Sequence, residues 1–244
     1  MRQDRAAFFV EDPFVVGAQV ALAESDAQHI SVLRLGAGER VGLRDGSGRA
    51  ASGTLVRLGR KNALVEVDEV VDVAPPPAVH LLVPVADRDR MLWLAEKAAE
   101  LNVASWRPVL WQRSRSVSPR GDGPTFRNKV RSRMISALLQ SRSAWLPEIF
   151  PEATPERAIA ASPTGTRVVL DGTGSPFRAI DAQAPIIVAV GPEGGFEPEE
   201  LMELRAAGFA TVSVGRSVLR FETAAVAGVA VARAMLDLGI HEEG

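Results

Sequence analysis

A strand, a glycine-containing turn and a helix follow one another twice near the carboxyl end of this 244-residue chain. In the first copy, five consecutive apolar residues at 186–190 predict a buried strand, and a proline and two glutamates at 198–200 favour the start of a helix. The second copy predicts a strand at 211–214, a loop at 215–221 and a helix at 222–238. Two such loops at the carboxyl ends of strands form the usual ligand crevice of an open α/β sheet, so we expect a binding site here.

The first loop places three glycines, Gly191, Gly194 and Gly195, around the carboxylate of Glu193. Single glycines are common at strand-to-helix turns, because such turns need a positive φ or close packing. Three glycines within five positions remove side chains from the loop and let a ligand approach the backbone. Their spacing matches neither a phosphate-binding P-loop nor the dinucleotide pattern G-x-G-x-x-G, and the chain has no G-x-S-x-G nucleophile elbow.

From residue 79 onward the predicted strands and helices alternate. Alternation of this kind predicts an α/β domain with a mostly parallel sheet and helices on both faces. The last helix is apolar nearly all round, which indicates burial on several sides, either within the domain or in a dimer interface. The predicted strands are 79–85, 106–111, 167–170, 186–190 and 211–214, and the predicted helices are 89–101, 124–142, 155–161, 198–207 and 222–238.

The first seventy residues follow a different pattern, in which short β-rich segments alternate with turns. This pattern predicts a small β-barrel or sandwich, and Ser25 and Asp26 are candidates to cap a short helix that ends at Leu33. Three consecutive prolines at 75–77 cannot continue a strand ladder. We therefore predict two domains, 1–73 and 74–244. The predicted strands are 40–44, 49–58 and 62–71, with a hairpin turn at 45–48.

Charge is distributed unevenly along the chain. The formal net charge is −2, yet residues 75–146 carry 12 basic and 5 acidic side chains, and residues 107–142 contain nine cations and one acid. Such an excess is the electrostatic footprint of a phosphate-backbone partner, and a solvated basic face is the alternative. On the predicted helix 124–142, the pairs Arg127/Arg131 and Lys129/Arg133 place like charges one turn apart, at a cost of about 0.2–0.5 kcal/mol per pair. We favour a nucleic-acid partner.

Composition argues against several other functions. The chain has no cysteine, which excludes thiolate nucleophiles, cysteine zinc sites and disulfides. His29, His80 and His241 show no ligand spacing, so we expect no metal and no Ser-His-Asp triad. No apolar run reaches the roughly 20 residues of a membrane span, and the amino terminus lacks the apolar region of a signal peptide. We expect a soluble, cytoplasmic protein without a membrane partner.

Two longer segments carry a resemblance to a known family. The sequences VGPEGG at 190–195 and VGRSVLRFETA at 214–224 resemble the paired loops of SPOUT-class methyltransferases, and specifically those of the ribosomal RNA small subunit methyltransferase E family. Segments similar to that family also lie along the rest of the chain, at 29–35, 45–48, 96–103, 112–114, 140–142 and 147–149.

Members of this family use S-adenosylmethionine to methylate N3 of a uridine in 16S rRNA. The resemblance implies that residues 74–244 form a SPOUT-type, trefoil-knotted α/β sheet, that residues 1–73 form a PUA-like β-barrel that binds RNA, and that the enzyme is a homodimer. Carried over by position, it implies cofactor contacts by Leu170, Gly191, Pro192, Glu193, Gly194, Gly195, Gly215, Val218, Leu219 and Arg220.

The implied reaction removes the N3 proton of uridine while N3 accepts a methyl group. We hypothesise that Arg220 stabilises the developing uracil oxyanion, and that Glu222 orients Arg220 or relays the proton. The alternative role of Glu222 is to stabilise the start of helix 222–238 by about 0.3–1 kcal/mol. Phe221 stands where the family often has threonine, so a hydroxyl is not essential at that position. The expected phosphate contacts are Arg34, Arg113 and Arg142.

Three other functions are consistent with the same residues. The chain could methylate another RNA, or it could be an RNA-binding assembly factor without catalysis. It could also be a small-molecule α/β enzyme that binds an anion at a helix N-terminus, although that function leaves the basic segment unexplained.

Overall fold

The computed structural model describes residues 4–116 and 119–240. The chain divides into two compact units, Met1–Pro75 with Leu138–Leu146, and Pro76–Ala137 with Pro147–Gly244. The first unit thus includes a segment, Leu138–Leu146, that lies beyond the predicted boundary. As a division into functional domains, 1–73 and 74–244 stays a prediction.

The first unit contains an open, barrel-like sheet of five strands and one helix. The strands follow the order β1-β3-β4-β5-β2, in which only the β1–β3 pair is parallel. Its core is built from buried aromatic and aliphatic side chains that include Phe8, Phe14, Ile30 and Leu43. The elements are β1 (Ala7–Phe9), β2 (Gln19–Leu22), α1 (Glu24–Val32), β3 (Arg40–Arg44), β4 (Arg49–Leu58) and β5 (Ala63–Asp72).

One local feature of this unit agrees with the sequence and another differs. The predicted hairpin turn joins β3 to β4, and the Asp45 carboxylate accepts hydrogen bonds from the backbone N–H groups of Ser47 (2.8 Å) and Arg49 (3.0 Å). The predicted cap of α1 is wrong. The N-cap is Ala23, whose carbonyl accepts the Asp26 N–H at 3.1 Å, so Ser25 and Asp26 already lie within the first turn.

The second unit confirms the alternation of strands and helices that the sequence predicts. All strand pairs in its six-stranded sheet are parallel, and their order is β11-β9-β10-β6-β7-β8. The elements are β6 (Val79–Pro84), α2 (Arg88–Glu100), β7 (Ser105–Val109), α3 (Gly123–Ser141), β8 (Glu148–Ile149), α4 (Pro155–Ala160), β9 (Thr166–Pro176), β10 (Ile186–Val190), α5 (Pro198–Ala206), β11 (Ala210–Ser213) and α6 (Phe221–Ile240). Short 3₁₀ helices occupy Gln112–Ser116 and Phe177–Ala179.

Helices cover both faces of this sheet, because strands such as β10 present apolar, buried side chains on both faces. On one face, Ile187 and Ala189 of β10 pack in a buried cluster with Ala158 of α4 and Leu204 of α5. On the other face, α6 packs against β6, β10 and α2. Within residues 4–116 and 119–240, no helix has the length and apolar character to cross a membrane.

The strand β9 is longer than the predicted strand at 167–170. It continues to Pro176, because β11 pairs with it twice. Thr211 lies opposite Val169, whereas the next residue, Val212, lies opposite Ser175. The intervening segment 170–174 forms a bulge in the pairing of β9 with β11, although Leu170 still pairs with Val190 of β10.

Candidate functional site

The two glycine loops begin at the carboxyl ends of strands on either side of β9. Residues 191–195 follow β10, residues 215–220 follow β11, and β9 lies between these two strands. Leu170 of β9 is in register with Val190, the last residue of β10. Its side chain is buried against α6, where a Cβ added to Gly228 would lie 2.6 Å from Leu170 Cδ1. The fold therefore gathers Leu170 and both predicted loops at one edge of the sheet.

Packing explains much of the glycine content of the first loop. Gly195 has a φ of +74° and donates its N–H to the Pro192 carbonyl at 2.8 Å. A Cβ at Gly191 would lie 2.8 Å from the Phe196 ring, and a Cβ at Gly194 would lie 2.9 Å from Arg113 Cδ. Ordinary turn geometry and close packing thus require glycine at these three positions.

The second loop differs from the first, because packing does not require its glycine. A Cβ added to Gly215 would meet no described heavy atom within 4 Å, and the φ of Gly215 lies outside the left-handed region. Val218 is fully exposed and Leu219 is partly exposed. A glycine that neither close packing nor a positive φ requires is expected where a ligand approaches the backbone closely.

Two arginines from earlier in the chain hold the first loop. Arg90, in the first turn of α2, forms an ion pair with Glu193. Arg113 donates from Nε and Nη2 to the two carboxylate oxygens of Glu197, over 2.9 and 3.2 Å, and from Nη1 to the Gly194 carbonyl. The hydrogen bond to Glu197 raises the pKa of Arg113 above its ordinary value. The carboxylate of Glu193, expected at the cofactor, therefore bonds to an arginine in this structure.

Buried polar contacts fix the other side of the same loop. The Trp111 indole donates from Nε1 to the Val190 carbonyl at 3.0 Å, and its ring meets Phe196 edge-on, with centroids 4.9 Å apart. Glu200 is buried and uses both carboxylate oxygens, one for the Gln112 N–H at 2.7 Å and one for the Glu197 N–H at 2.9 Å. The segment after β7 and the start of α5 therefore present the 191–197 loop as a pre-formed surface.

Sequence reasoning missed the supporting roles of these residues and named Arg113 only as a phosphate contact. The spacing of Glu197 and Glu200 is that of a helix capping box, and the structure contains one of its two bonds, from the Glu197 N–H to the Glu200 carboxylate at 2.9 Å, so a local signal could have been read. Trp111 and Arg113 have no local signal, because their partners lie 79 and 84 positions away.

The proposed catalytic pair lies where the second loop enters α6. Arg220 is exposed, and Phe221, only 2% exposed, fills a core position at the helix start. Glu222 is 9% exposed, and its Oε2 atom has no hydrogen-bond partner among the described residues. Arg220 therefore does not hold that oxygen. A buried polar atom without a partner costs about 1–3 kcal/mol, so a role in supporting the helix start leaves this geometry unexplained.

The three arginines expected at RNA phosphates lie in different surroundings. Arg34 and Arg142 belong to the first unit, are exposed, and have φ values of +56° and +61° at the residues that follow α1 and α3. Arg113 belongs to the second unit and is engaged by Glu197, so a phosphate would compete with that carboxylate. As RNA contacts, all three stay predictions.

The histidines have structural surroundings where the structure describes them. His29 is exposed and meets Phe8 edge-on, and the Nδ1 atom of His80 lies 2.7 Å from Ser105 Oγ. His241 lies outside the described residues. Among the residues that are described, no group of three or more histidine, aspartate or glutamate side chains could hold a metal ion.

Both parts of the chain match known protein families. Residues 74–233 match the family described as RNA methyltransferase domain, and residues 22–68 match the family described as RNA methyltransferase PUA domain. The chain is 30% identical over 232 residues to the ribosomal RNA small subunit methyltransferase E of Mycobacterium bovis, which covers 89% of this chain and 87% of the relative. It is 27% identical over 236 residues to the protein of the same name from Synechocystis sp., which covers 91% of this chain and 75% of the relative.

Solved structures are similar over nearly the whole chain. The ribosomal RNA small subunit methyltransferase E of Neisseria gonorrhoeae, bound to S-adenosyl methionine, matches with a TM-score of 0.86 at 27% identity, covering 94% of this chain and 97% of that one. A Legionella pneumophila protein solved with the bound cofactor SAM matches with a TM-score of 0.84 at 25% identity and the same two coverages.

Proposed function

Because the chain belongs to the ribosomal RNA small subunit methyltransferase E family and is an S-adenosylmethionine-dependent RNA methyltransferase, we propose that it methylates N3 of one uridine in 16S rRNA. One observation carries the proposal. The two glycine loops and Leu170 lie at one edge of a parallel sheet, and that sheet belongs to a fold shared with a relative solved with this cofactor. The small ribosomal subunit, in the cytoplasm, is the proposed partner and location.

The residues present fit an adenosine-containing cofactor. Gly215 offers bare backbone with open space above it, and Val218 and Leu219 add apolar surface on the same loop. Leu170 belongs to β9, the strand between the two loops, and lies in register with Val190 at the end of β10. When bound, S-adenosylmethionine supplies an electrophilic methyl group. The remaining proposed contacts come from the backbone of Gly191, Pro192, Gly194 and Gly195, and from Arg220.

Glu193 takes a different role in this proposal. Its carboxylate pairs with Arg90, so its side chain positions the loop and the loop backbone contacts the cofactor. Arg113 acts in the same way through Glu197 and Gly194. These contacts to Arg90 and Arg113 keep the first loop rigid before the cofactor binds, so the loop loses less conformational entropy on binding.

Arg220 and Glu222 carry the proposed chemistry on the target base. In this proposal, the exposed guanidinium of Arg220 stabilises the negative charge that develops on a uracil oxygen. Glu222 keeps a buried carboxylate oxygen without a described partner, and this oxygen can accept the N3 proton directly or through a water. Since Arg220 does not hold that oxygen, we favour proton transfer over orientation as the role of Glu222. The uridine must leave any base stack to reach this edge.

The first unit supplies the proposed RNA-binding accessory domain, at 1–73. Its match to an RNA methyltransferase PUA domain supports this role, with Arg34 as a phosphate contact in that domain and Arg142 as one from the segment that follows α3. Both side chains are exposed.

A homodimer is also proposed, on the basis of the apolar surface of α6. Phe221, Ala225, Val229 and Ala232 are buried within the chain. Apolar residues on other sides of the helix remain partly or fully exposed: Ala224, Val226, Ala227, Ala230 and Val231. A second copy would cover this surface, and sedimentation of the purified protein tests the idea. The knotted threading that the resemblance implies stays a prediction.

Methyl transfer to ribosomal particles tests the proposed function. Small subunits from a strain that lacks the orthologous gene are incubated with the protein and labelled S-adenosylmethionine, with large subunits and naked 16S rRNA in parallel. The proposal predicts label in the small-subunit RNA. Label found only in another RNA would show that this other RNA, and not 16S rRNA, is the substrate. Cofactor binding without label in any RNA would favour a non-catalytic RNA-binding factor.

A further inference from the structure

The exposed face of α3 carries a continuous polar stripe. Its members fall three or four positions apart, so they lie on one side of the helix, and all are exposed. The opposite side is buried and apolar, with Phe126, Val130 and Met134 among its residues. The stripe consists of Thr125, Asn128, Lys129, Ser132, Arg133 and Ser136.

The stripe borders a groove. Its six residues, together with Leu92 of α2, line a shallow groove of about 690 Å³, and no carboxylate is among the lining residues. From Thr125 to Ser136 the helix rises by about 16 Å, which several successive phosphates of one strand can follow. All lining residues belong to the second unit.

Lys129 and Arg133 are two cations one helical turn apart, and neither has an ion pair among the described residues. Like charges at this spacing destabilise an isolated helix. In contrast, Lys97 on α2 is paired with Glu96 and Glu100, and Arg120 is paired with Asp122. The groove thus keeps its positive charge uncompensated, as a surface that binds a polyanion does.

Hydroxyl groups give the groove a second property. Ser132 Oγ donates to the Asn128 carbonyl at 3.0 Å, and Ser136 Oγ donates to the Ser132 carbonyl at 3.1 Å. Each hydroxyl has used its proton, so each oxygen can still accept a hydrogen bond from outside. A ribose 2′-hydroxyl is a donor of that kind and is absent from DNA.

We propose that the α3 groove binds the sugar–phosphate backbone of the substrate RNA. Lys129, Arg133 and Asn128 contact phosphates, while Ser132 and Ser136 accept hydrogen bonds from 2′-hydroxyls. The inference rests on the proposed function for its RNA partner. It adds a helix face of the second unit to the phosphate contacts already proposed for Arg34, Arg113 and Arg142.

A charge-removing double variant tests the proposal. The protein with Lys129→Gln and Arg133→Gln is compared with a matched control, Arg157→Gln and Arg178→Gln, which removes two exposed cations elsewhere in the same unit. The probes are a labelled single-stranded RNA oligonucleotide and the DNA of the same sequence, titrated by anisotropy between about 50 and 200 mM salt.

Two lost phosphate contacts should weaken RNA binding by roughly 25-fold at 0.1 M salt and reduce the slope of log K against log salt by about 1.4. The control should change the affinity by less than about threefold, because neither of its two arginines lines the groove. A second variant, Ser132→Ala with Ser136→Ala, should reduce the preference for RNA over DNA. Cofactor affinity, measured by calorimetry, should be the same in all variants and shows that each is folded.

The outcomes separate this inference from the proposed function. Equal weakening in the groove variant and the control would overturn the inference, as would wild-type RNA affinity in the groove variant or no oligonucleotide binding by the wild type. A groove variant that binds RNA normally but sediments differently would show that this face of α3 is a contact between two copies of the protein. That result would also overturn the inference. Oligonucleotide binding that depends on the groove, without methyl transfer to any rRNA, would leave the inference standing and defeat the proposed function.

Discussion

The Trp111 indole donates a 3.0 Å hydrogen bond to the carbonyl oxygen of Val190, the last residue before the first glycine loop. Both residues are buried, so the bond joins the segment after β7 to the end of β10 inside the second unit. Together with the edge-on contact to Phe196, it fixes the place where the loop leaves the sheet. The first glycine loop is thus positioned by a residue that lies outside the loop motif.

Trp111→Phe should destabilise the protein and weaken cofactor binding together. The substitution removes the indole donor from the buried Val190 carbonyl, and loss of such a bond costs about 1–3 kcal/mol. Chemical denaturation and calorimetry with S-adenosylmethionine measure the two effects. Trp93, which is 46% exposed, provides the matched control, and Trp93→Phe should change stability by less than about 0.5 kcal/mol. Equal effects at the two positions would contradict the assigned role of Trp111.

Exchanging the charges of the Arg90–Glu193 ion pair should show whether Glu193 positions the loop or contacts the cofactor directly. The pair is half-exposed and is worth up to about 1 kcal/mol, so Arg90→Glu should weaken S-adenosylmethionine binding by up to about fivefold. Adding Glu193→Arg to Arg90→Glu should restore most of the affinity. If the double variant binds the cofactor less well than either single variant, the Glu193 carboxylate itself contacts the cofactor.

The two loops should respond differently when alanine replaces glycine. Gly191→Ala pushes a methyl group into the Phe196 ring and should destabilise the fold by about 1–3 kcal/mol. Gly215→Ala enters open space and should leave stability unchanged, yet weaken S-adenosylmethionine binding at least tenfold if the cofactor lies against that backbone. Wild-type cofactor affinity in Gly215→Ala would remove this residue from the site.

Glu222→Gln should reduce turnover while leaving cofactor affinity intact. Loss of a general base lowers the rate by about 10²–10⁴-fold, whereas glutamine keeps the shape of the side chain. Glu199, an exposed acid in the first turn of α5, is the control for a purely helix-stabilising role. Glu199→Gln should retain full turnover. If the Glu222→Gln enzyme is as active as the wild type, the role of Glu222 is limited to stabilising the start of α6.

His80 should make stability depend on pH. Burial lowers the pKa of His80 below its ordinary value of 6.5, an effect opposed by Glu148 and reinforced by Arg233. The unfolded state therefore binds the proton more readily, and stability should fall as the pH drops below about 6.5. His80→Gln should flatten this dependence in thermal melts between about pH 7.5 and 5.5, and the exposed control His29→Gln should not. An unchanged profile in His80→Gln would assign the dependence to other groups.

Elements with a strong local pattern could be predicted closely. The strand at 186–190 is uniformly apolar and has the predicted bounds, and α5 begins at the proline that favoured a helix start. Features that depend on distant residues were missed. The extension of β9 to Pro176 needs β11 as a partner, and the N-cap of α1 is Ala23, although its side chain cannot accept a hydrogen bond.

The candidate site shows the same division. The loop motifs identified the residues at the sheet edge, because glycine and carboxylate spacing are local. The contacts of Trp111 and Arg113 join residues 79 and 84 positions apart, so no window of sequence contains both partners. The unpartnered oxygen of Glu222 depends on how α6 is buried, which periodicity indicates only for the helix as a whole.

The most direct test of the central claim is nucleoside mass analysis of small-subunit RNA after methyl transfer by this protein. Subunits that lack the modification are treated with wild-type protein and labelled S-adenosylmethionine, and the RNA is digested to nucleosides. We predict that the label is recovered in 3-methyluridine. Label recovered in any other nucleoside, or no label despite measurable cofactor binding, would contradict uridine N3 as the target.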